Sequence, residues 1–170
     1  NKEGSPTMCY HQVGQGNAGM CTALIYSDAA GRNYLGRTLE LTVELPYEVV
    51  FFPAGFSVRS EVSGHPALAY TLDHAVLAIT MPARLPTAAA PLALADLKVI
   101  EGLNDAGVTF SVLSYPSAAG RAQSADVTRA VLAASDLGSW VLGRFASVAQ
   151  VKAALADQPV FLEALSILRG

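Results

Sequence analysis

Three side chains suited to nucleophilic chemistry fall within residues 20–40. Cys21 follows Met20 and opens the apolar run Thr22-Ala23-Leu24-Ile25-Tyr26, and Gly36-Arg37-Thr38-Leu39-Glu40 comes after a turn around Gly31. Two strands joined by the Ser27–Asn33 turn lie side by side, which returns Arg37 and Glu40 toward the end where Cys21 begins. A thiol with a pKa near 8.5 is mostly protonated at neutral pH, so Cys21 needs a base or a nearby cation. Arg37 would be that cation and would lower the thiol pKa by about a unit or more, while Glu40 would orient neighbouring groups. On a regular strand Arg37 and Glu40 face opposite sides. Both reach Cys21 only if the strand bends or one of them sits at its end.

The base has two candidate sources. His11 stands in the N-terminal arm, and His65 and His74 stand in loops beside strands, so a Cys–His pair through space is one. The other is the α-amino group of Cys21 itself, with a pKa near 8, which is free only once residues 1–20 are removed. Each residue also has an ordinary explanation. An isolated cysteine on a strand packs as a small hydrophobe, and Arg37 and Glu40 are two solvated charges. Asn104, opening the turn Asn104-Asp105-Ala106-Gly107, suits the turn geometry. Its chemical alternative is a side-chain N–H given to a developing oxyanion, typically worth ~3 kcal/mol.

The elements that must position these residues are strands first and helices after. Short β-rich runs cover 21–26, 34–42, 48–52, 57–62, 67–72 and 76–81, punctuated by Pro53-Ala54-Gly55 and Gly64-His65-Pro66. Residues 82–91 are a Pro/Ala loop. Val99–Val108 and Thr109–Leu113 form a hairpin. From Ser124 to Phe145 apolar residues fall three and four apart, which predicts a helix with a break or close packing at Gly138. Ser147 with Gln150 is a capping-box pattern for a second helix, with Val148, Val151, Ala154 and Leu155 as its buried stripe and Asp157-Gln158-Pro159 as its stop. Phe161 to Leu168 is a further helix or strand. Without βαβ alternation, the class is α+β, with helices on one face of an antiparallel sheet.

The totals bound the partners. The chain has 170 residues, 52% apolar, and a net charge of −3 with eleven scattered basic residues, so nucleic acid is excluded as a partner. No apolar run reaches the roughly 18 residues that span a bilayer, so a soluble protein without a membrane partner is expected. Two cysteines make neither a disulfide framework nor a zinc site; a Cys9–Cys21 bridge would be worth about 3 kcal/mol. Residues 1–20, Gly-rich and lacking apolar periodicity, read as a flexible leader or propeptide-like arm.

Taken in order, these segments resemble the choloylglycine hydrolase family of N-terminal-nucleophile hydrolases, which includes penicillin V acylases and conjugated bile acid hydrolases. Met20-Cys21-Thr22 resembles the family's start at its nucleophile, and Tyr34–Glu40 is similar to its G-R-T/N-M-D segment. Phe52-Pro53-Ala54-Gly55 resembles its P-R-G turn, with Ala54 in place of a common Arg, and Glu101–Val108 resembles its D-G-M-N-E-K-G-L hairpin. Trp140–Val148 with Val151–Leu155 resembles its W-L-L-G-x-F-x-S-V-x-E-V-K helix pair.

The resemblance implies Cys21 as nucleophile, its freed α-amino group as base, Arg37 beside the thiolate and Asn104 as a side-chain oxyanion donor. Glu40 stands in the place of a family Asp, one methylene longer. The implied reaction is hydrolysis of a linear amide through an acyl-thioester, with no metal or cofactor. Leu39 and Phe56 would favour an apolar acyl pocket. Substrate candidates are penicillin V, glycine- or taurine-conjugated bile acids and N-acyl homoserine lactones.

Family members run to roughly twice this length, so residues 21–170 correspond to the N-terminal portion of one αββα sandwich domain. A second chain or a C-terminal half, and a homo-oligomer, are the expected partners, since a sheet cut this way exposes an edge and an apolar face. An export leader would place the protein in the periplasm or outside the cell, with the cytoplasm still open. Two rival readings stand beside this one: an unprocessed precursor or non-catalytic ligand-binding homologue, and a Cys–His hydrolase using His65 or His74.

Overall fold

The computed structural model describes residues 22–39, 45–113 and 125–162. The chain divides into two compact units, one holding residues 1–44 and 111–119, the other 45–110 and 120–170.

In the first unit, β1 (Thr22–Ser27) and β2 (Asn33–Thr38) form an antiparallel hairpin. Gly31, with φ 77°, supplies the left-handed turn residue, and Asp28 holds the turn by accepting from the backbone N–H of Ala30 and of Arg32, both at 2.9 Å. The carboxylate also pairs with Arg32 Nε at 2.7 Å. The backbone N–H of Arg32, followed by its guanidinium, holds the Asp28 carboxyl below the usual carboxylate range.

The second unit is built on a four-stranded sheet in the order β3 (Glu48–Phe52), β6 (Val76–Pro82), β7 (Leu97–Asn104), β8 (Thr109–Ser111). A separate hairpin pairs β4 (Ser57–Ser60) with β5 (Leu68–Thr71). Cross-strand register explains the sheet's two faces. Phe52, Val76 and Asn104 stand in one row, and Val50, Ala78 and Gly102 in another. This face packs on α1 (Leu137–Arg144), whose Trp140, Val141 and Leu142 join the buried core. The alternate rows Phe51–Leu77–Leu103 and Val49–Ile79–Glu101 point the other way. Val49 is 73% and Phe51 62% exposed there, with Leu77 and Leu103 close to half exposed. The expected apolar face is therefore present on one side of the sheet.

Helix α1 lies almost backbone to backbone on the sheet. A Cβ at Gly138 would stand 2.5 Å from the Val99 carbonyl oxygen, and one at Gly102 would stand 3.0 Å from Leu142 Cδ1. Close packing, the second of the two expectations at Gly138, is what the structure uses. Lys98 and Asp136 form a largely buried ion pair at 2.5 Å beside the start of α1.

Two expectations are corrected. Residues 124–145 are not one helix: Asp126 accepts from the Thr128 amide and hydroxyl, making a turn. Then β9 (Leu132–Ala133) pairs in parallel with β10 (Val160–Phe161), and Val131 bridges to Ala67. Val131, Leu132 and Ala133 are buried in succession because this short segment has neighbours from two directions, and such a run mimics helical spacing. Only 137–144 is α-helical.

The second helix, α2 (Val148–Leu155), is capped as expected: Ser147 Oγ accepts from Gln150 N–H at 3.3 Å, and Gln150 Oε1 accepts from Ala146 N–H at 2.8 Å. Its buried stripe is narrower than expected. Val151 and Ala154 touch the core, whereas Val148 is 64% exposed and Leu155 is also exposed. At about 100° per residue those two share a direction off the Val151–Ala154 strip. Of 161–168, Phe161 belongs to β10 and residues 163–168 lie outside the described residues. Among the described residues no helix is long and apolar enough to cross a membrane.

Candidate active site

Cys21 and Glu40 lie outside the described residues, as do Cys9 and His11. The hairpin that joins them is described. Thr22, bonded directly to Cys21, pairs with Thr38, and Ala23 pairs with Arg37. The turn thus returns Arg37 to the Thr22 end of β1, as the sequence requires. Thr22 N–H donates to Thr38 Oγ1 at 3.2 Å and fixes that end. Arg37 is half-buried, and its Nε–H donates to the Thr38 carbonyl at 3.4 Å. Strand β2 stops at Thr38. Leu39 is exposed just beyond the strand end.

Asn104 is set at the last position of β7 by the turn that follows. Gly107, with φ 86°, closes this turn by donating its N–H to the Asn104 carbonyl at 3.0 Å. The side chain is only 3% exposed and fully engaged. Its Nδ2 donates to the carbonyls of Leu142 and Phe145, both at 2.8 Å, while its Oδ1 accepts from Val108 N–H at 2.8 Å. An amide nitrogen has two hydrogens, and both are used here. In this structure the side chain caps the C-terminal end of α1.

Phe56 is likewise placed by packing. It is partly buried against the core, with its ring 5.5 Å from that of Phe52. The two described histidines have partners of their own. His65 Nδ1–H donates to the Arg129 carbonyl at 3.2 Å, and the ring meets Phe161 edge-on. His74 Nδ1 lies 2.8 Å from Asp105 Oδ1, and Asp105 Oδ2 accepts from Ala75 N–H at 3.2 Å. That backbone N–H first, and His74 second, hold the Asp105 carboxyl below the usual range. Nothing local to either residue marks this pair, whose members lie on different turns. A shallow cavity of about 360 Å³ is lined by Arg59, Glu61, Val62, Ser63, His65 and Ala67; it includes the Cys–His candidate His65 but not Arg37, Leu39, Phe56 or Asn104. Among the described residues no group of three or more His, Cys, Asp or Glu could hold a metal ion.

The model of the linear amide C-N hydrolases, choloylglycine hydrolase family, matches residues 21–170, beginning at Cys21. The chain belongs to this family. Conjugated bile acid hydrolase from Clostridium perfringens is similar in structure. Its cysteine-to-alanine mutant superposes with a TM-score of 0.65 at 20% identity, over 85% of this chain and 40% of that one. An arginine-to-leucine variant of the same enzyme gives 0.65 at 19% over the same shares. Penicillin V acylase from Agrobacterium tumefaciens gives 0.63 at 17%, again over 85% and 40%. At these identities the likeness shows the fold: an α+β N-terminal-nucleophile hydrolase fold, spanning about 40% of the length of the solved structures it matches. No curated protein matches the chain.

Proposed function

We propose that this choloylglycine hydrolase family chain supplies the nucleophile of an enzyme that hydrolyses linear amides with an apolar acyl group. The observation that carries the reading is the hairpin register, which sets Arg37 opposite Ala23 at the end of β1 to which Cys21 is bonded. Removal of residues 1–20 frees the Cys21 α-amino group. That amine takes the thiol proton, and the thiolate attacks the amide carbonyl. The proton passes to the departing amine, leaving an acyl-thioester, and water then releases the acid and restores the thiol. Arg37 favours the thiolate by charge, and Glu40 holds the amine. Leu39 contributes apolar surface to the acyl pocket, and Phe56 contributes from its core-packed position.

The uncovered rows of the sheet, Phe51–Leu77–Leu103 and Val49–Ile79, support a further part of the reading. A second polypeptide segment of the same fold, from this protein or another copy, packs on them. Substrates are drawn from penicillin V, conjugated bile acids and N-acyl homoserine lactones, and an exported leader gives a periplasmic or secreted enzyme.

The test is a panel of these amides on the mature protein, with intact mass and N-terminal sequencing of the same sample. Activity that requires a new terminus at Cys21 and vanishes in Cys21→Ala is expected. Full activity with residues 1–20 still attached would overturn the mechanism. Abolished activity in His74→Ala or His65→Ala, with Cys21 intact and reactive and backbone amide exchange unchanged, would favour a Cys–His hydrolase instead. A stoichiometrically bound but uncleaved amide would favour a binding homologue.

A further inference from the structure

Three segments far apart in the chain meet at the C-terminal end of α1, and polar contacts tie them together. The last carbonyls of a helix lack partners within it and are satisfied from outside or by water. Here the Leu142 and Phe145 carbonyls accept from Asn104 Nδ2, and the Gly143 carbonyl accepts from the backbone N–H of Asp73 at 2.7 Å and of His74 at 3.1 Å. Arg144 Nε pairs with Asp73 Oδ2 at 3.0 Å. The β5–β6 turn and the β7–β8 turn are also tied to each other. Asp105 bonds His74 Nδ1 and Ala75 N–H through its side chain, and its own backbone N–H donates to the Ala75 carbonyl at 3.1 Å. Asn104 Oδ1 then holds the turn from inside, through Val108 N–H.

Resting on the amidase reading, we propose that Asn104 is a positioning residue whose side chain locks the β7–β8 turn to the end of α1, with neither hydrogen of its side-chain amide left for the substrate. Asp105 and His74 are its partners in the same lock. Loosening any of the three shifts the turn as a unit, so their effects on turnover are coupled instead of independent.

The experiment uses the full-length protein with Asn104→Ala, Asp105→Ala, His74→Ala and the Asn104→Ala/Asp105→Ala double variant. It measures kcat, KM, thermal midpoint and amide exchange at Gly107 and Val108. Expected are faster exchange in every variant, a kcat loss of about tenfold in Asn104→Ala, a smaller one in Asp105→Ala, and a double variant scarcely worse than the worse single. A direct donor would instead lose about 10²–10³-fold in kcat, out of proportion to the change in exchange, and Asp105→Ala would leave kcat unaltered despite faster exchange. That result overturns the proposal, as does an Asn104→Ala protein with faster exchange but unaltered kcat. Should Asn104→Ala fail to fold, Asp105→Ala and His74→Ala decide, since both side chains are partly exposed: a kcat loss in step with faster exchange upholds the lock, and unaltered kcat sinks it. A wild type inert toward every amide sinks the amidase reading, whereas an active wild type with uncoupled variants sinks this inference alone.

Discussion

The β1–β2 hairpin and the helix-backed sheet keep their shapes by different means. In the hairpin most residues are exposed, and what defines it is a six-pair register and one aspartate bonded to its own turn. In the sheet unit, Leu132, Leu142, Val76 and Val131 are wholly buried, and glycines let α1 approach the strands closely. The unit proposed to carry the nucleophile is thus the one with little core among its described residues, while the unit with the core carries Asn104 as a cap. Chemistry and stability are accordingly expected to respond to different substitutions.

The sharpest separation is expected from Cys21→Ala, which should remove more than ~10⁴-fold of amide turnover and leave the thermal midpoint where it was. A parallel fall in midpoint would show that the thiol is part of a core. Leu142→Ala should do the reverse within the sheet unit. It should cost about 2–5 kcal/mol of stability in a denaturant titration, with kcat per folded molecule little changed. Gly138→Ala pushes a methyl onto the Val99 carbonyl and should cost about 1–3 kcal/mol, visible in the same titration.

Acid should act on both units. Hydrogen bonds from backbone N–H groups hold the Asp28 carboxyl in the hairpin and the Asp96 and Asp105 carboxyls in the sheet unit below their ordinary value, and the Thr128 hydroxyl does most to lower Asp126. A depressed carboxyl stabilises the fold above its unfolded pKa, and that contribution disappears as pH falls through the folded one. Calorimetry should therefore show a flat midpoint from about pH 5 upward and a decline below ~4. The smallest effect is expected from Asp28→Ala, with faster amide exchange at Ala30 and Arg32 and no change at Asn104 or Val108. Exchange rising at both places would erase the distinction between the units.

What could be read in the sequence was whatever its neighbours in the chain dictate. The return of Arg37 to the start of β1 follows from a turn a few residues long, and the cap at Ser147 follows from Gln150. The short strands of the sheet were legible for the same reason. Val131-Leu132-Ala133 was misread as helix because parallel pairing with Val160 and Phe161 is invisible to local periodicity. The bonds that tie the Asn104 side chain to α1 were not legible, because its two carbonyl partners are 38 and 41 residues downstream. Nothing in its own turn announces them.

That separation has a consequence during synthesis. When Asn104 leaves the ribosome, the carbonyls that will satisfy its amide have not yet been made. At about 5–20 residues per second they arrive roughly 2–8 s later. Over that interval the nascent β7–β8 turn holds an unmatched polar group at a position destined for the interior. A stall or cut before Phe145 would make that state permanent, and such a fragment is a natural target for chaperone capture or degradation.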